Sequence, residues 1–349
     1  MRIIPNWHNV KPLGRTWPKP DALWLAFSAS GAEFAFTGTE CTVTFAGDNR
    51  ASDANERCNH ARVAIELDGV RVADVMIDAA EKSVAFTAEA GGHIVRIVKL
   101  SETAMSTCGI RFIDAENIRP TARKDRFIEF VGDSITCGYG MDDEVAEHHF
   151  VTGTEDATRA YAYRTAQALD ADYSLVSISG YGIISGYTAT AEAPVTAQLL
   201  PDYYEKLGFS YGVFGGEVPQ DVRWDFSVRQ PDLIVINLGT NDDSYCLDHE
   251  ERQQHYCDEY VRFLCAVRRC NPDAKILCTL GMMGDRLYPW VEKAVTAYTT
   301  KNGDQNTACM AFVPQLLEDG YTADYHPTAV THGKAAAKIT AEIRRLMGW

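Results

Sequence analysis

The strongest constraint on the fold is a regular alternation of strand-like and helix-like segments that runs from residue 126 to the C-terminus. The predicted strands are short apolar runs at Phe127–Val131, Tyr173–Ser179, Leu233–Leu238, Lys275–Leu280 and Cys309–Val313. The predicted helices lie near Ala157–Leu169, His249–Cys270, Trp290–Lys301 and Ala329–Leu346. Strands that alternate with helices form a parallel sheet with helices on both faces, which predicts a three-layer α/β/α domain.

The residues before this region follow another pattern, in which short β-like runs are separated by turn residues such as Asp68-Gly69 and Gly91-Gly92. The runs lie at Ala22–Ala29, Ala32–Gly38, Cys41–Gly47, Ala61–Leu67, Val70–Ile77, Ser83–Thr87, His93–Leu100 and Arg111–Ile113. This pattern predicts an all-β sandwich of jelly-roll type. We place the sandwich at residues 1–118 and the α/β domain at residues 119–349, with the boundary in a polar, proline-containing segment.

The charge of the 349-residue chain argues against two classes of partner. The formal net charge is −15, divided as −3 over residues 1–118 and −12 over residues 119–349. Nucleic-acid binding requires clustered Lys and Arg, and an anionic membrane surface would repel such a chain. The charge therefore favours a neutral substrate and predicts no nucleic-acid or membrane partner.

The ten cysteines show no C-x-x-C pair and no zinc-finger spacing. Several lie in apolar runs, so we expect buried reduced thiols and neither disulfides nor a metal site. The first residues contain no apolar run of signal-peptide length, and no later stretch approaches the length of a membrane span. These observations predict a cytoplasmic protein.

Four motifs fall at predicted strand or helix boundaries of the α/β domain. Ser134 follows the first strand in Gly-Asp-Ser, Gly180 follows the second, and Asn241 follows the third in Gly-Thr-Asn-Asp. His326 stands just before the last helix in Asp-Tyr-His-Pro. In open α/β sheets the carboxyl ends of the strands form the ligand site, so we expect these residues to meet there.

These residue types suit nucleophilic catalysis at an ester. A serine hydroxyl needs a base such as His326 to take its proton, and the imidazole needs a partner such as Asp324 to fix its tautomer. The oxyanion that forms needs donors, for which the backbone N–H groups of Ser134 and Gly180 and the Asn241 side chain are candidates. No metal or organic cofactor is expected.

The four motifs resemble the blocks of the SGNH (GDSL-type) hydrolases, which supply Ser, Gly, Asn and His in this order. The resemblance covers residues 126–349 and implies an SGNH-type α/β/α fold. The family usually places its acid three residues before the histidine, where this chain has Ala323, and Asp324 stands two before it. Two arrangements remain open: a triad through Asp324, or a Ser–His dyad whose imidazole is oriented by a backbone carbonyl.

The preceding β-sandwich, Trp224-Asp225-Phe226-Ser227 and the Asp-Tyr-His-Pro ending resemble carbohydrate esterase family 2. That resemblance implies removal of O-acetyl groups from plant-polysaccharide sugars of the xylan or mannan type, with an acetylated oligosaccharide as the substrate. Alternatives are an aryl or short-chain lipid esterase and an inactive sugar-binding protein.

Two further sets of residues remain as hypotheses. In the aromatic-rich segment Tyr187–Val228, Tyr187 is the candidate for stacking on a sugar ring, although such rings can equally pack the segment onto the domain. His148, His149 and His332 are rival bases, the first two in a polar loop and the third in the last predicted helix.

Overall fold

The computed structural model describes residues 2–52 and 59–349. Met1 and Cys58, which belong to the predictions for the N-terminus and the reduced cysteines, lie outside the described residues. The N-terminal strands are β1 (Arg2–Ile3), β2 (Lys11–Leu13), β3 (Thr16–Pro18), β4 (Leu23–Leu25), β5 (Gly31–Gly47), β6 (Ala61–Leu67), β7 (Val70–Ile77), β8 (Glu81–Lys99) and β9 (Cys108–Pro120). Among the described residues they pair antiparallel in the order β3-β4-β9-β5-β8-β6-β7, with β1 on β9 and β2 on β5.

Two pairs of predicted strands are joined in the structure. Ala32–Gly38 and Cys41–Gly47 are parts of β5, and Ser83–Thr87 and His93–Leu100 fall almost entirely within β8. The glycines between them do not form turns, because β5 and β8 stay paired through a register shift at Gly38, whose φ is +118°. Such an irregularity bends a strand and lets one sheet contribute to both layers of a sandwich. The β-sandwich is confirmed, and its jelly-roll topology stays a prediction.

The C-terminal part contains a parallel sheet and its covering helices. Its elements in chain order are β10 (Arg126–Gly132), α1 (Ser134–Cys137), α2 (Tyr161–Ala168), β11 (Ala171–Ser177), α3 (Pro201–Tyr204), β12 (Leu233–Asn237), α4 (Thr240–Cys246), α5 (Glu250–Cys270), β13 (Lys275–Leu280), α6 (Tyr288–Asn302), β14 (Thr307–Ala311), β15 (Tyr321–Thr322), β16 (His326–Pro327) and α7 (Ala329–Met347). The strand order is β11-β10-β12-β13-β14, and all of these pairs are parallel. The predicted α/β fold is confirmed.

The alternate side chains of the central strand explain the three layers. Ile234 and Ile236 of β12 belong to the apolar cluster that includes the buried faces of α5 and α6. Leu233 and Val235 belong to the opposite cluster, which includes those of α2 and α7. A strand buried on both faces reads as one continuous apolar run, which is why the sequence pattern located it.

Strand order also determines where a ligand can bind. The chain leaves β10 for β11 on one side and later returns to place β12 on the other side of β10. The carboxyl ends of β10 and β12 therefore flank a topological switch point, where open α/β sheets form a crevice. In residues 2–52 and 59–349, no helix has both the length and the apolar character needed to cross a membrane.

Buried charges connect the two parts of the chain. Lys11 of β2 lies 3.0 Å from both Asp172 and Glu33, and the Arg15 guanidinium donates to the carbonyl oxygens of Tyr204 and Lys206. The sandwich ends at Pro120 with β9 and the parallel sheet begins at Arg126. The division at residues 118 and 119 stays a prediction.

Candidate active site

Ser134 is the first residue of a short helix that begins where β10 ends. Asp133 caps this helix, since its carboxylate accepts a hydrogen bond of 3.0 Å from the backbone N–H of Ile135. A Cβ on Gly132 would come within 2.0 Å of the Thr136 hydroxyl, so the turn requires glycine there. The Gly-Asp-Ser sequence thus makes a tight strand-to-helix turn that presents the serine at the carboxyl edge of the sheet.

His326 meets Ser134 in this structure. The distance between His326 Nε2 and Ser134 Oγ is 2.8 Å. On the other side of the ring, Nδ1 lies 3.2 Å from the backbone oxygens of both Ala323 and Asp324. Because carbonyl oxygens can only accept, Nδ1 carries the proton and Nε2 is free to accept from the Ser134 hydroxyl. Burial lowers the pKa of His326 to about 4, so the ring is neutral at pH 7 and in the form of a base.

The Asp324 carboxylate makes its hydrogen bonds elsewhere. Oδ2 accepts from the Tyr139 hydroxyl at 2.5 Å and from the backbone N–H of Phe150 at 3.0 Å, and Oδ1 lies 2.8 Å from His149 Nδ1. Burial acts to raise the pKa of Asp324, but these hydrogen bonds outweigh it and hold the pKa below its ordinary value.

The structure therefore does not place the Asp324 side chain as the third member of a triad. Of the two arrangements left open by the sequence, it has the one with backbone carbonyls at Nδ1. Asp324 and Tyr325 both have left-handed backbone conformations, with φ of +52° and +60°, and this turn directs the carbonyls of Ala323 and Asp324 to the ring. Non-glycine residues in this region carry strain that the surroundings must hold. The hydrogen bonds of the Asp324 carboxylate with Tyr139, His149 and Phe150 help to hold this strained turn.

Gly180 and Asn241 line the same cleft as Ser134 and His326. Gly180 has φ of +82°, which favours glycine, and its backbone oxygen accepts from the N–H of Tyr187 at 2.9 Å. Asn241 Nδ2 donates to the Tyr181 oxygen at 2.8 Å and lies 3.4 Å from Asp133 Oδ2. The four residues predicted from separate motifs are thus brought together at one edge of the sheet.

Asp242 holds the loop that follows Gly180. Its buried carboxylate accepts from the backbone N–H groups of Ile183, Ile184 and Ser185 at 2.7 to 3.1 Å. Burial raises the pKa of Asp242 to about 6. Asp242 thus fixes the backbone of residues 183–185, which follow the cleft residue Gly180.

The cleft has a volume of about 640 Å³ and is open to solvent. Besides the four residues above, its lining includes Tyr139, Tyr187, Thr240, Asp243, Ser244, Leu247, Met283, Arg286, Asp324 and Tyr325. Tyr187 is 62% exposed and Tyr325 is 53% exposed, so two aromatic side chains are accessible in the lining. Of the other aromatics in the 187–228 segment, Tyr204, Phe209 and Phe214 are buried, as expected for packing onto the domain.

The rival histidines have other partners. His148 contacts the Asp143 carboxylate, His149 contacts Asp324, and His332 is buried with Nδ1 accepting from the N–H of Tyr161. Within the part of the chain that the structure describes, His326 is the histidine that hydrogen bonds to Ser134.

The cleft lining does not include the one cluster of possible metal ligands found among the described residues. That cluster consists of Glu102, Cys137 and Glu155, all buried. Sequence patterns missed Glu102 and Tyr139, because neither lies in a motif and their partners are far away along the chain.

Comparison with known proteins identifies relatives of both parts. Residues 130–334 match the model of the GDSL-like Lipase/Acylhydrolase family, and residues 13–120 match the model named Carbohydrate esterase 2 N-terminal. The cellulase/esterase CelE of Acetivibrio thermocellus is 30% identical over 341 residues, which are 95% of this chain and 38% of CelE. This chain thus spans little more than a third of that relative.

Two other similar proteins match over most of their length. An acetylxylan esterase/glucomannan deacetylase of Cellvibrio japonicus is 26% identical over 354 residues, covering 98% of this chain and 90% of the relative. The solved structure of Est2A, an acetyl xylan esterase from the rumen bacterium Butyrivibrio proteoclasticus, superposes with a TM-score of 0.89 and 26% identity. The match covers 99% of this chain and 97% of Est2A.

Proposed function

Because this chain belongs to the GDSL-like lipase/acylhydrolase family and carries the N-terminal domain of family 2 carbohydrate esterases, we propose that it is a serine esterase that removes O-acetyl groups from sugars. The observation that carries this proposal is the 2.8 Å contact between Ser134 Oγ and the neutral His326 Nε2, in a cleft that also holds Gly180 and Asn241. A hydroxyl beside a base that is free to accept its proton is an activated nucleophile.

In the first half of the reaction, Ser134 Oγ forms a bond to the acetyl carbonyl carbon while its proton passes to His326 Nε2. The carbonyl electrons move to oxygen. The oxyanion is bound by the N–H groups of Ser134 and Gly180 and by the Asn241 Nδ2–H that does not donate to the Tyr181 oxygen. The bond to the sugar oxygen then breaks, and Nε2 gives its proton to that oxygen. A free sugar hydroxyl and an acetyl-serine result.

Water completes the cycle through the same histidine. The water oxygen attacks the acetyl carbon while one water proton passes to His326 Nε2. The bond to Ser134 Oγ then breaks, Oγ takes that proton from Nε2, and acetic acid leaves and ionises to acetate in the solvent. During both halves the imidazolium is stabilised by the carbonyl dipoles of Ala323 and Asp324, which lie 3.2 Å from Nδ1. This Ser–His dyad needs no metal or organic cofactor.

The proposed substrates are acetylated oligosaccharides of the xylan or mannan type. The name of the Cellvibrio japonicus relative refers to acetylxylan and glucomannan, and that of Est2A refers to acetyl xylan; both support this class. The exposed ring of Tyr187 in the cleft lining supports a stacking contact with a sugar. No nucleic-acid or membrane partner is proposed, in line with the net charge of −15.

Product analysis tests this function directly. Acetylated xylan and mannan oligosaccharides are incubated with the protein, and loss of the acetyl signals is followed by NMR. We expect free acetate and an intact sugar chain. Oligosaccharides that bind without losing acetyl groups would instead identify a sugar-binding protein.

Acyl-chain selectivity separates carbohydrate esterases from other members of the family. On activated esters of increasing chain length we expect acetyl to react fastest. Equal turnover of acetyl and long acyl chains would favour a lipid or aryl esterase and contradict the carbohydrate assignment.

We also propose that the enzyme acts in the cytoplasm on imported oligosaccharides. The nine cysteines among the described residues are free thiols, and most are buried, which suits a reducing compartment. Fractionation of the source cells with an antibody tests this, and recovery of the protein from the medium would contradict it.

A further inference from the structure

A side chain from the sandwich contacts the Ser179–Gly180 loop of the α/β domain. Glu102 belongs to the connection between β8 and β9, but its Oε2 accepts a hydrogen bond of 2.9 Å from the backbone N–H of Ser179. Ser179 immediately precedes Gly180, the proposed oxyanion donor. Glu102 is 3% exposed, so water does not compete strongly for this contact.

Several hydrogen bonds hold the loop that contains Gly180. Apart from the adjacent residues, a Cβ at Gly180 would meet a single atom within 4 Å, the Gln198 side-chain oxygen at 3.9 Å, so the space on that side of the residue is open. The hydrogen bonds on this loop include Glu102 at the Ser179 N–H, the Tyr187 N–H at the Gly180 oxygen, and Asn241 at the Tyr181 oxygen. Of these hydrogen bonds, the one from Glu102 comes from the sandwich.

Glu102 is itself held firmly. Its backbone N–H donates to Glu155 Oε2 at 2.7 Å, and its backbone oxygen accepts from Lys99 Nζ at 2.6 Å. Lys99 is fully buried and also donates to the Ser101 oxygen at 2.7 Å. The neighbouring Leu100 oxygen accepts from the Ala157 N–H at 3.0 Å. These contacts anchor the Glu102 connection to the segment that follows α1.

We propose that Glu102 is a positioning residue for the esterase, supplied by the sandwich, which holds the Ser179–Gly180 loop so that the Gly180 N–H faces the oxyanion. This inference rests on the proposed function. An oxyanion donor acts mainly on the transition state, so misplacing it lowers kcat and leaves KM nearly unchanged. The β-sandwich therefore contributes to catalysis as well as to architecture.

Two variants of equal size test the hydrogen bond itself. Glu102→Gln keeps an oxygen that can accept from Ser179, whereas Glu102→Met fills the same volume without an acceptor. On an activated acetyl ester we expect kcat of Glu102→Met to fall by about tenfold or more with KM within about twofold, while Glu102→Gln stays within about threefold of the parent.

Asp48→Ala is the matched control for loss of stability. Asp48 is a buried carboxylate of the same sandwich and accepts from the Thr107 N–H at 2.7 Å, but it is absent from the cleft lining. We expect its Tm to fall while kcat is kept. The inference is overturned if folded Glu102→Met retains its kcat, or if Asp48→Ala loses kcat to the same extent.

A measurement on the unaltered protein covers the case in which Glu102→Met does not fold. NMR hydrogen exchange should show the Ser179 amide protected like the core of the sheet, and rapid exchange would overturn the inference. If the parent protein hydrolyses no acetyl ester, the proposed function fails, while the amide exchange still decides whether Glu102 holds the loop.

Discussion

The Tyr139 ring stacks on the His326 imidazole, with ring centroids 3.8 Å apart and planes inclined by 16°. The same tyrosine donates its hydroxyl proton to Asp324 Oδ2 at 2.5 Å. The Asp324 carboxylate therefore contacts His326 only indirectly, by holding the tyrosine that stacks on the imidazole. The direct contact is made by the Asp324 backbone oxygen, and the carboxylate makes no hydrogen bond to the ring. The backbone carbonyls at Nδ1 favour a Ser–His dyad over a Ser–His–Asp triad.

Asp324→Asn distinguishes the two arrangements. The asparagine oxygen can still accept from Tyr139, and the backbone carbonyls still hold Nδ1, so we expect kcat/KM to fall by less than about tenfold. In a triad the same change costs about 10⁴-fold because the histidine tautomer is lost. Steady-state kinetics on an activated acetyl ester distinguish the two arrangements. A decrease of kcat/KM as large as that expected for a triad would assign the Asp324 carboxylate to catalysis.

Ser134→Ala should abolish ester hydrolysis and leave the fold intact. Removing the nucleophile is expected to lower kcat by about 10³-fold or more, with little change in Tm because the side chain is small. The double variant Ser134→Ala/His326→Ala should be no slower than either single variant, since the two residues act as one unit. A Ser134→Ala variant that keeps most of its activity would contradict the mechanism.

The His326 imidazole should titrate far below an ordinary histidine. Burial lowers its pKa from 6.5 to about 4, so NMR of labelled histidine should show a ring that stays neutral through pH 5. The signal is assigned by its absence in His326→Gln. A midpoint near the ordinary value would mean that the ring is not desolvated as the structure indicates.

The same shift affects stability in a defined direction. The folded-state pKa of His326 is lower than that of the unfolded chain, so the unfolded state binds more protons between pH 4 and 6.5. The contribution of this group to the free energy of unfolding therefore rises with pH across that window and is lost as the pH falls. Urea unfolding at several pH values should show a weaker pH dependence in His326→Gln than in the parent.

Tyr187→Ala should weaken the binding of acetylated oligosaccharides and leave the hydrolysis of small esters nearly unchanged. If the exposed ring stacks on a sugar, KM for an acetylated oligosaccharide should rise by about tenfold, while kcat/KM for an activated acetyl ester changes by about twofold at most. Tyr211→Ala is the matched control, because Tyr211 is 55% exposed and lies outside the cleft lining. Equal effects of the two substitutions would argue against a stacking role.

Arg15→Ala should destabilise the whole protein. Arg15 is buried between the two parts of the chain, donates to the Tyr204 and Lys206 oxygens, and lies 3.4 Å from Glu129. Its loss leaves a buried carboxylate without its cation, which typically costs about 3 to 5 kcal/mol. Urea unfolding should show this loss, and an unchanged midpoint would contradict the interpretation of the interface.

Local patterns in the sequence determined much of this protein. Continuous apolar runs located the buried parallel strands, because a strand covered on both faces needs apolar residues at every position. The strand ends then located Ser134, Gly180 and Asn241, since parallel strands bring their carboxyl ends to one edge. The 2.8 Å contact of His326 with Ser134 agrees with the chemistry that was expected of their residue types.

The tertiary structure alone decided which groups surround the histidine. Asp324 stands two residues from His326, but the left-handed turn between them points its carboxylate to Tyr139 and its backbone oxygen to the ring. Likewise, Glu102 and Ser179 are 77 positions apart in the sequence, and no local pattern predicts their hydrogen bond. Hydrogen bonds between residues close in sequence follow from local patterns. The partners of a side chain that reaches another domain depend on how the folded chain packs, which no local pattern contains.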